Sequence, residues 1–251
     1  MPVAEQLQQI AATRYVTPLR EGGSMPGLME ADDDGLYVVK FRGAGQGPLA
    51  LVAEIIAGEL ARAAGFATPR LALIEIDPAL GAAEPDPEIK ELIVASAGLN
   101  VASDFLPGSI TYSPAIENTP SPELAAEIVW FDALITNVDR TPRNPNLLLW
   151  HGELQLIDHG AALYRQHAGL SGAAELGFPQ IAEHVLLPAA GSVAEAGERM
   201  AARLTPAVVE AAVAAVPHGW FEQDPADAYV EYLTARIARA AEIGAEADDA
   251  R

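Results

Sequence analysis

Two aspartates and a pair of asparagines have the spacing best suited to chemistry in this 251-residue sequence. Asp139 follows an apolar segment and precedes Asn144 by five positions, while Asp158 ends a short apolar run and is followed by His-Gly. A carboxylate can accept a proton from a hydroxyl, and carboxylate and amide oxygens are good Mg²⁺ ligands. Asn146 competes with Asn144 as ligand because it directly precedes the next strand. The pattern predicts a site that binds Mg²⁺ and activates a hydroxyl.

A lysine in an apolar strand adds a cation to this set. Lys40 ends the run Tyr37-Val38-Val39-Lys40 and is one of two lysines, against thirteen arginines. An ammonium among apolar side chains needs an anionic partner, and a compact cation suits a phosphate group. Glu54 on the following, otherwise apolar, helix is the expected partner, with Glu59 as its rival.

A glycine-rich segment precedes the lysine, with Gly22, Gly23, Ser24 and Gly27. Each motif is weak alone, but their order along the chain matches what phosphoryl transfer requires: a cation on the phosphates, oxygen ligands for Mg²⁺ and a base near the acceptor hydroxyl. Ser24 is also a candidate phosphorylation site, because a phosphate there would repel the phosphates of a nucleotide.

Secondary structure must place these groups around one cleft. The spacing of apolar residues and the helix and turn signals predict a series of elements. These are a helix over 1–14, strands within 17–41 around a turn at 32–35, a helix over 48–65, strands at 69–78, 91–98 and 99–106, a helix over 121–137, a hairpin of 147–150 with 153–158 around His151-Gly152, and mostly helix over 170–251.

Strands dominate the first 105 residues and helices the remainder, which predicts an α+β fold of two lobes with the boundary between residues 105 and 106. Half of the residues are hydrophobic and none is cysteine, which argues for a folded chain and suits a cytoplasmic location. The net charge of −20 argues against nucleic-acid binding. We find no run of 18 apolar residues and no secretory signal, so no membrane partner is expected.

Five pieces of the chain together resemble the HipA-like kinase family, a bacterial branch near the phosphatidylinositol kinases and protein kinases. They lie within residues 20–160 and read GGSMPG, YVVK, AEIIAGELARAAG, NVDRTPRNPN and LIDHG. The resemblance implies a bilobal protein-kinase-like fold with a β-rich N-lobe and a mostly helical C-lobe. It implies ATP and Mg²⁺ between the lobes and a hydroxyl acceptor, for which Ser/Thr on a protein is the first expectation and a lipid or small molecule the alternative.

The resemblance also implies a role for each matched residue. Lys40 would bind the α- and β-phosphates and Glu54 would hold Lys40, while Asp139 would be the catalytic aspartate. Asn144 or Asn146 and Asp158 would bind Mg²⁺, Val38 would contact the adenine, and Ser103, Asp104, Phe105 and Leu106 would form the hinge between the lobes.

The sequence departs from the kinase pattern at several points. Asn137-Val138 replaces His-Arg before Asp139, Asp-His-Gly replaces Asp-Phe-Gly, and no Ala-Pro-Glu motif follows. The chain is shorter than a HipA toxin, so a toxin role with a DNA-binding antitoxin is not expected. A nucleotide-binding pseudokinase or partner-binding module is the alternative function. A metal-dependent hydrolase using both aspartates ranks last because it leaves Lys40 unexplained.

Overall fold

A strand-rich first part and a helical second part make up the chain. The computed structural model describes residues 7–19, 26–44, 47–115, 119–221 and 224–251. The strands are β1 (Gln8–Pro18), β2 (Gly27–Ala31), β3 (Leu36–Lys40), β4 (Leu71–Ile76), β5 (Gly98–Asp104), β6 (Ile110–Thr111), β7 (Leu147–Trp150) and β8 (Glu153–Leu156). The α-helices are α1 (Gly47–Ala64), α2 (Pro87–Ala95), α3 (Pro122–Leu134), α4 (Val193–Ala201), α5 (Pro206–Ala214), α6 (Ala226–Ala238) and α7 (Ala240–Asp249). Short 3-10 helices cover Pro78–Ala83, Tyr164–Ala168, Ala173–Glu175, Pro179–Glu183, Leu187–Ala189 and His218–Trp220.

The first five strands close into a small barrel in the order β1-β2-β3-β5-β4. β1 and β4 run parallel, and the other neighbouring pairs are antiparallel. Successive side chains of a strand point to opposite faces. In β3, Tyr37 and Val39 are therefore buried together inside the barrel, while Val38 and Lys40 share its other, half-buried face.

The first strand corrects a prediction, because residues 8–14 were expected to be helical. The chain pairs with β2 on one side and β4 on the other, so β1 completes the barrel. The helix prediction relied on Leu7, Ile10 and Ala11, a weak pattern. The β-favouring residues Thr13, Tyr15 and Val16 follow directly, and the pairing on both sides outweighs that local pattern.

Helix α1 connects the two parts of the molecule, close to the predicted range of 48–65. Almost every side chain from Leu51 to Ala61 is buried, as expected for a helix that is apolar on all sides. It contacts β5 of the barrel and α5 of the helical part. The two glutamates of α1, Glu54 and Glu59, are therefore buried and need partners within the protein.

Helix α2 corrects the second prediction, because residues 91–98 were expected to form a strand. The Asp86 carboxylate accepts the Glu88 N–H at 2.9 Å, and Pro87 occupies the first helical turn. These are ordinary N-terminal helix signals, and they lie just before the predicted strand. The run Glu91–Ala95 continues the helix that starts there.

Helix α3 is the centre of the second part and begins as predicted. The Ser121 hydroxyl accepts the Leu124 N–H at 3.2 Å, which caps the helix, and α3 packs against α4 and α7. The predicted hairpin is also confirmed: β7 and β8 pair around His151 and Gly152, both with positive φ as a two-residue hairpin turn requires. No helix in the described ranges has the length and apolarity needed to cross a membrane.

Because α4 packs closely against α3 and α7, we expect alanine at position 197 of α4 to destabilise the fold. A Cβ at Gly197 would clash with the Trp130 indole and lie 2.7 Å from the Ala240 carbonyl oxygen. Alanine normally favours a helix over glycine, but we expect Gly197→Ala to lower the free energy of unfolding by about 1–3 kcal/mol because of overpacking. Urea unfolding measures this. Gly219→Ala is the control, since a Cβ there meets nothing within 4 Å. Equal stability of both variants would contradict the packing.

Candidate active site

Lys40, at the end of β3, contacts side chains of α1 and of the segment after β8. Its Nζ donates a hydrogen bond to Glu54 Oε2 at 2.5 Å and a second one to Asp158 Oδ1. Its side chain is only 14% exposed, so the ammonium is enclosed by these carboxylates. Glu59, the rival partner, binds Arg62 one turn further along α1. The structure therefore pairs Lys40 with Glu54.

The charges of this cluster do not balance. Burial disfavours the ammonium, but the charges of Asp158 and Glu54 outweigh burial and raise the pKa of Lys40. Burial and the charge of Asp158 raise the pKa of Glu54, although the charge of Lys40 opposes this. Burial opposes ionisation of Asp158 as well, yet Lys40 lowers its pKa overall. With all three groups ionised, two carboxylates share one ammonium and one negative charge is left over.

Asp158 reaches Lys40 through a special backbone conformation. Its φ is +53°, in the left-handed region that Asp tolerates better than most residues. The chain then turns at Gly160, where a Cβ would lie 3.3 Å from Lys40 Nζ and 3.5 Å from the Ala50 carbonyl oxygen. Glycine at this position therefore lets the backbone pass close to the ammonium.

Asp139 lies in the loop after α3 and is held by the two asparagines. Its Oδ2 accepts the Asn144 Nδ2–H at 2.7 Å and the Asn146 Nδ2–H at 3.2 Å. Asn146 Nδ2 also lies 3.5 Å from the carbonyl oxygen of Asp158, so it connects the two aspartates. Burial, together with the charge of Asp158, raises the pKa of Asp139. The loop thus presents a half-buried carboxylate with increased proton affinity beside the Lys40 cluster.

Comparison with known protein families shows to which family the chain belongs. The sequence profile of the family described as HipA-like kinase matches residues 13–244, which is nearly the whole chain. The chain belongs to the HipA-like kinase family. It is therefore a phosphotransferase of the kinase class, as the motifs predicted. No protein with a curated description matches it.

Solved structures show the fold of this HipA-like kinase. A crystal structure of the Helicobacter pylori proinflammatory kinase CtkA matches with a TM-score of 0.57 at 13% identity, covering 97% of this chain and 98% of that one. The Golgi casein kinase with Mn/ADP bound matches with a TM-score of 0.56 at 15% identity, covering 98% of this chain and 74% of that one. A second Golgi casein kinase structure gives a TM-score of 0.53 at 15% identity, with 98% and 75% covered. The predicted bilobal protein-kinase-like fold is confirmed.

The residues of the HipA-like kinase fit a Mg²⁺ ion in the chemistry of their donors. The described residues contain no group of three His, Asp or Glu side chains that could hold a metal ion. Mg²⁺ does not need such a group, because it keeps waters and uses one or two protein oxygens together with substrate phosphates. Asp158 is one-third exposed and belongs to the cluster with an unbalanced negative charge. Asn144 and Asn146 use Nδ2 on Asp139, which leaves Oδ1 for a metal.

The predicted glycine-rich loop lies largely outside the described residues, since Gly22, Gly23 and Ser24 fall in the gap between 19 and 26. Gly27 is described and belongs to β2. A Cβ there would lie 2.8 Å from the rings of Phe41 and Tyr15, so packing in the barrel already requires a glycine. A role of these four residues in binding phosphates stays a prediction.

The predicted hinge begins at the end of β5, the barrel strand next to β3. Ser103 pairs with Val38 and Asp104 with Tyr37, and the Phe105 N–H donates to the Leu36 carbonyl at 2.9 Å. A cavity of about 700 Å³ includes Asp104, Phe105 and Leu106 in its wall, together with Asp33, Tyr37, Arg70 and Trp150. Lys40, Asp139 and Asp158 do not line it. This cavity is therefore separate from the Lys40 cluster.

Three buried residues near Asp139 were missed in the sequence. Arg140 Nε donates to Asp132 Oδ2 at 2.5 Å, and His184 Nε2 lies 2.8 Å from the same oxygen. Asp132 offered a signal, because it interrupts the apolar run of α3 and a buried carboxylate requires a partner. Arg140 directly follows Asp139 but looks like an ordinary loop arginine. Nothing in the sequence pointed to His184.

His159 takes the place of the phenylalanine of the Asp-Phe-Gly motif and acts as a packing residue. It is buried, and its ring meets the Phe131 ring edge-on with 6.4 Å between ring centres. Burial, reinforced by repulsion from Arg140, lowers the pKa of His159 to about 3, so the ring is neutral. The imidazole therefore fills an apolar space much as an aromatic ring does.

The Asp132 contacts predict a specific pH dependence of stability. Burial opposes its ionisation, but Arg140 and His184 lower the pKa of Asp132 in the folded chain. The stabilisation is therefore complete above the ordinary Asp pKa of about 3.9 and is lost as the pH falls below it. We expect Asp132→Asn to reduce the free energy of unfolding by about 3–5 kcal/mol at pH 7. Below pH 3.9 this difference should shrink by about 1.4 kcal/mol per pH unit.

Urea unfolding of parent and Asp132→Asn at pH 7 and pH 3 measures this difference. The exposed Asp227→Asn is the control and should stay within about 0.5 kcal/mol of the parent. A difference between parent and Asp132→Asn that is equally large at both pH values would show that Asp132 does not carry the buried charge.

Proposed function

We propose that this kinase transfers the γ-phosphoryl group of ATP, in the presence of Mg²⁺, to the hydroxyl of a Ser or Thr residue in a protein. The observation that carries the proposal is the position of Lys40 Nζ between Glu54 and Asp158. A buried ammonium and a nearby excess of carboxylate are the two charges that phosphates and their metal ion require.

Binding of the nucleotide is assigned to Lys40 and its face of β3. The ammonium would contact the α- and β-phosphates, and Glu54 would keep it in place. Val38 lies on the same face two residues earlier and would contact the adenine. Contacts of the adenine with the hinge, Ser103 to Leu106, and of the phosphates with the glycine-rich loop complete this part of the proposal.

Asp158 and one of the two asparagines, Asn144 or Asn146, would hold Mg²⁺. When bound, the ion neutralises charge on the phosphates and helps to align them for transfer. Its positive charge would also offset the negative charge left over in the Lys40 cluster. Asn146 connects Asp139 and Asp158 directly, and Asn144 has the shorter hydrogen bond to Asp139, so both stay candidates.

Asp139 would accept the proton of the acceptor hydroxyl. The hydroxyl oxygen forms a bond to the γ-phosphorus, and the bond from this phosphorus to the β,γ-bridging oxygen breaks. The electron pair of that bond leaves with ADP. The raised pKa of Asp139, caused mainly by burial, makes its carboxylate a better proton acceptor than an exposed aspartate.

Similar structures support the choice of nucleotide and acceptor. The Golgi casein kinase was solved with Mn/ADP, which supports a nucleotide and a divalent metal ion. Its name gives a protein as the substrate, which supports a protein acceptor. The boundary between residues 105 and 106, a cytoplasmic location and the absence of nucleic-acid and membrane partners stay predictions.

Replacing the two aspartates separates binding from transfer. We expect Asp139→Asn to reduce phosphoryl transfer by about 10²–10⁴-fold, the usual contribution of a general base. It should keep the stabilisation by Mg²⁺-ATP, about 2.7 kcal/mol at a hundred times the dissociation constant. Asp158→Asn should lose both, because it removes a metal ligand.

Transfer from labelled ATP to lysate proteins, together with thermal unfolding with and without Mg²⁺-ATP, measures these effects. Asp227→Asn is again the control. Binding by the parent without any transfer would identify the nucleotide-binding alternative. Full transfer by both site variants would show that the assigned roles are wrong.

The two buried glutamates of α1, Glu54 and Glu59, provide a test variant and its matched control. Glu54→Gln removes a charged hydrogen bond to Lys40, so we expect kcat/KM for ATP to fall by about 10–100-fold. Glu59→Gln affects only the contact with Arg62 and should stay within about threefold of the parent, because no charge near Lys40 changes. Steady-state kinetics at saturating Mg²⁺ measures both. Equal losses would contradict the pairing seen in the structure.

A further inference from the structure

Arg140 is buried, and its side chain contacts the backbone at Asn146 and at Ile157, next to Asp158. We propose that it is a positioning residue that fixes Asp139 relative to Asp158, and that Asp132 and His184 hold it in place. This inference rests on the proposed function, because the two aspartates matter together only for transfer of a phosphoryl group.

The guanidinium of Arg140 connects the segments that carry the candidate metal ligands. Its Nη1 donates to the carbonyl oxygen of Asn146 and lies 3.4 Å from the carbonyl oxygen of Ile157, the residue before Asp158. The Ile157 N–H donates to the same Asn146 carbonyl at 3.1 Å. Because Arg140 directly follows Asp139, a movement of its side chain would change the spacing of Asp139, Asn146 and Asp158 together.

Asp132 neutralises Arg140 and also reaches Asp139 by a second path. Its Oδ2 accepts from Arg140, while its Oδ1 accepts the Asn137 Nδ2–H at 3.0 Å. The Asn137 Oδ1 in turn accepts the backbone N–H of Asp139 at 3.1 Å. Asn137, two residues before Asp139, and Arg140, directly after it, are thus both tied to one carboxylate of α3.

His184 closes the network from the segment that follows Asp158. Its Nδ1 accepts the Leu186 N–H at 3.1 Å, so the proton is on Nε2, which donates to Asp132. The Val185 N–H donates to the Arg140 carbonyl at 3.0 Å. The segment around His184 therefore holds both the side chain network and the backbone of Arg140. A neutral histidine fits, since Arg140 and Asp132 already balance each other.

Four variants test this role. Arg140→Met removes the guanidinium and His184→Leu removes the donor to Asp132. His184→Gln keeps one donor and one acceptor and is the conservative variant. Arg236→Met is the matched control, because Arg236 is an equally buried arginine whose donors bind the carbonyls of Ala133, Leu134, Ala174 and Leu176 rather than the site.

Kinetics of the folded protein distinguishes positioning from simple stability. We expect Arg140→Met and His184→Leu to lower kcat by at least about tenfold with KM for ATP within about twofold, since misplaced groups slow the transfer itself. His184→Gln should recover to within about threefold of the parent, and Arg236→Met should lose thermal stability while keeping kcat.

Hydrogen exchange supplies a readout that needs no activity. Amides of residues 139–146 and 157–160 should exchange at least about tenfold faster in Arg140→Met and His184→Leu, and at the parent rate in Arg236→Met. If Arg140→Met does not fold, His184→Leu decides alone. Unchanged kcat and exchange in these variants, or the same changes in Arg236→Met, would overturn the positioning role. A parent without transfer activity would refute the proposed function, while exchange would still decide whether Arg140 holds the two segments.

Discussion

A buried ammonium between two carboxylates is the interaction on which the rest of the site depends. Lys40 and Asp158 are 118 positions apart, and Glu54 comes from a third element. Burying any one of these charges alone would be strongly unfavourable, so the barrel, α1 and the segment after β8 must all be in place for the cluster to exist. The pairing therefore couples the two parts of the fold.

The local features around this cluster follow from that requirement. Alternation along β3 turns Lys40 out of the barrel while Val39 stays inside it. Burial of α1 on nearly all sides leaves Glu54 no route to water. The left-handed conformation of Asp158 and the missing side chain at Gly160 bring the second carboxylate to the ammonium. Such strained non-glycine conformations persist where the surroundings enforce them, as they often do at functional sites.

The sequence predicted those parts of the site in which a charged residue stands in an otherwise apolar segment. A lysine in an apolar strand, a glutamate on an apolar helix and Asp-x-Gly after a strand are all visible without a structure. The sequence named Glu54 first but left Glu59 as a rival, because both lie on α1 and only the position of β3 decides between them. Asp132 was visible by the same reasoning as Glu54 but was passed over.

The errors in secondary structure have different causes. For β1, pairing on both sides within a closed barrel outweighs a weak helical pattern, and such pairing cannot be seen from the segment itself. For α2, the cap at Asp86 and the proline after it were readable, and the apolar run that follows fits a strand or a helix equally well. Only the first of these errors needed the structure to correct it.

Two buried clusters lie near Asp139, and they differ in net charge. This difference indicates different roles for the two clusters. In the Lys40 cluster two carboxylates share one cation, and Asp158 is one-third exposed, so the excess charge is open to a ligand. In the Arg140 cluster one cation meets one carboxylate, His184 is neutral because burial lowers its pKa, and the charged side chains have no exposed surface. A balanced, sealed cluster offers no free charge to a ligand, which fits the positioning role proposed for Arg140. An unbalanced, open one gains a counter-charge from a bound cation, which is the physical reason for proposing the metal ion beside Asp158 and not beside Asp132.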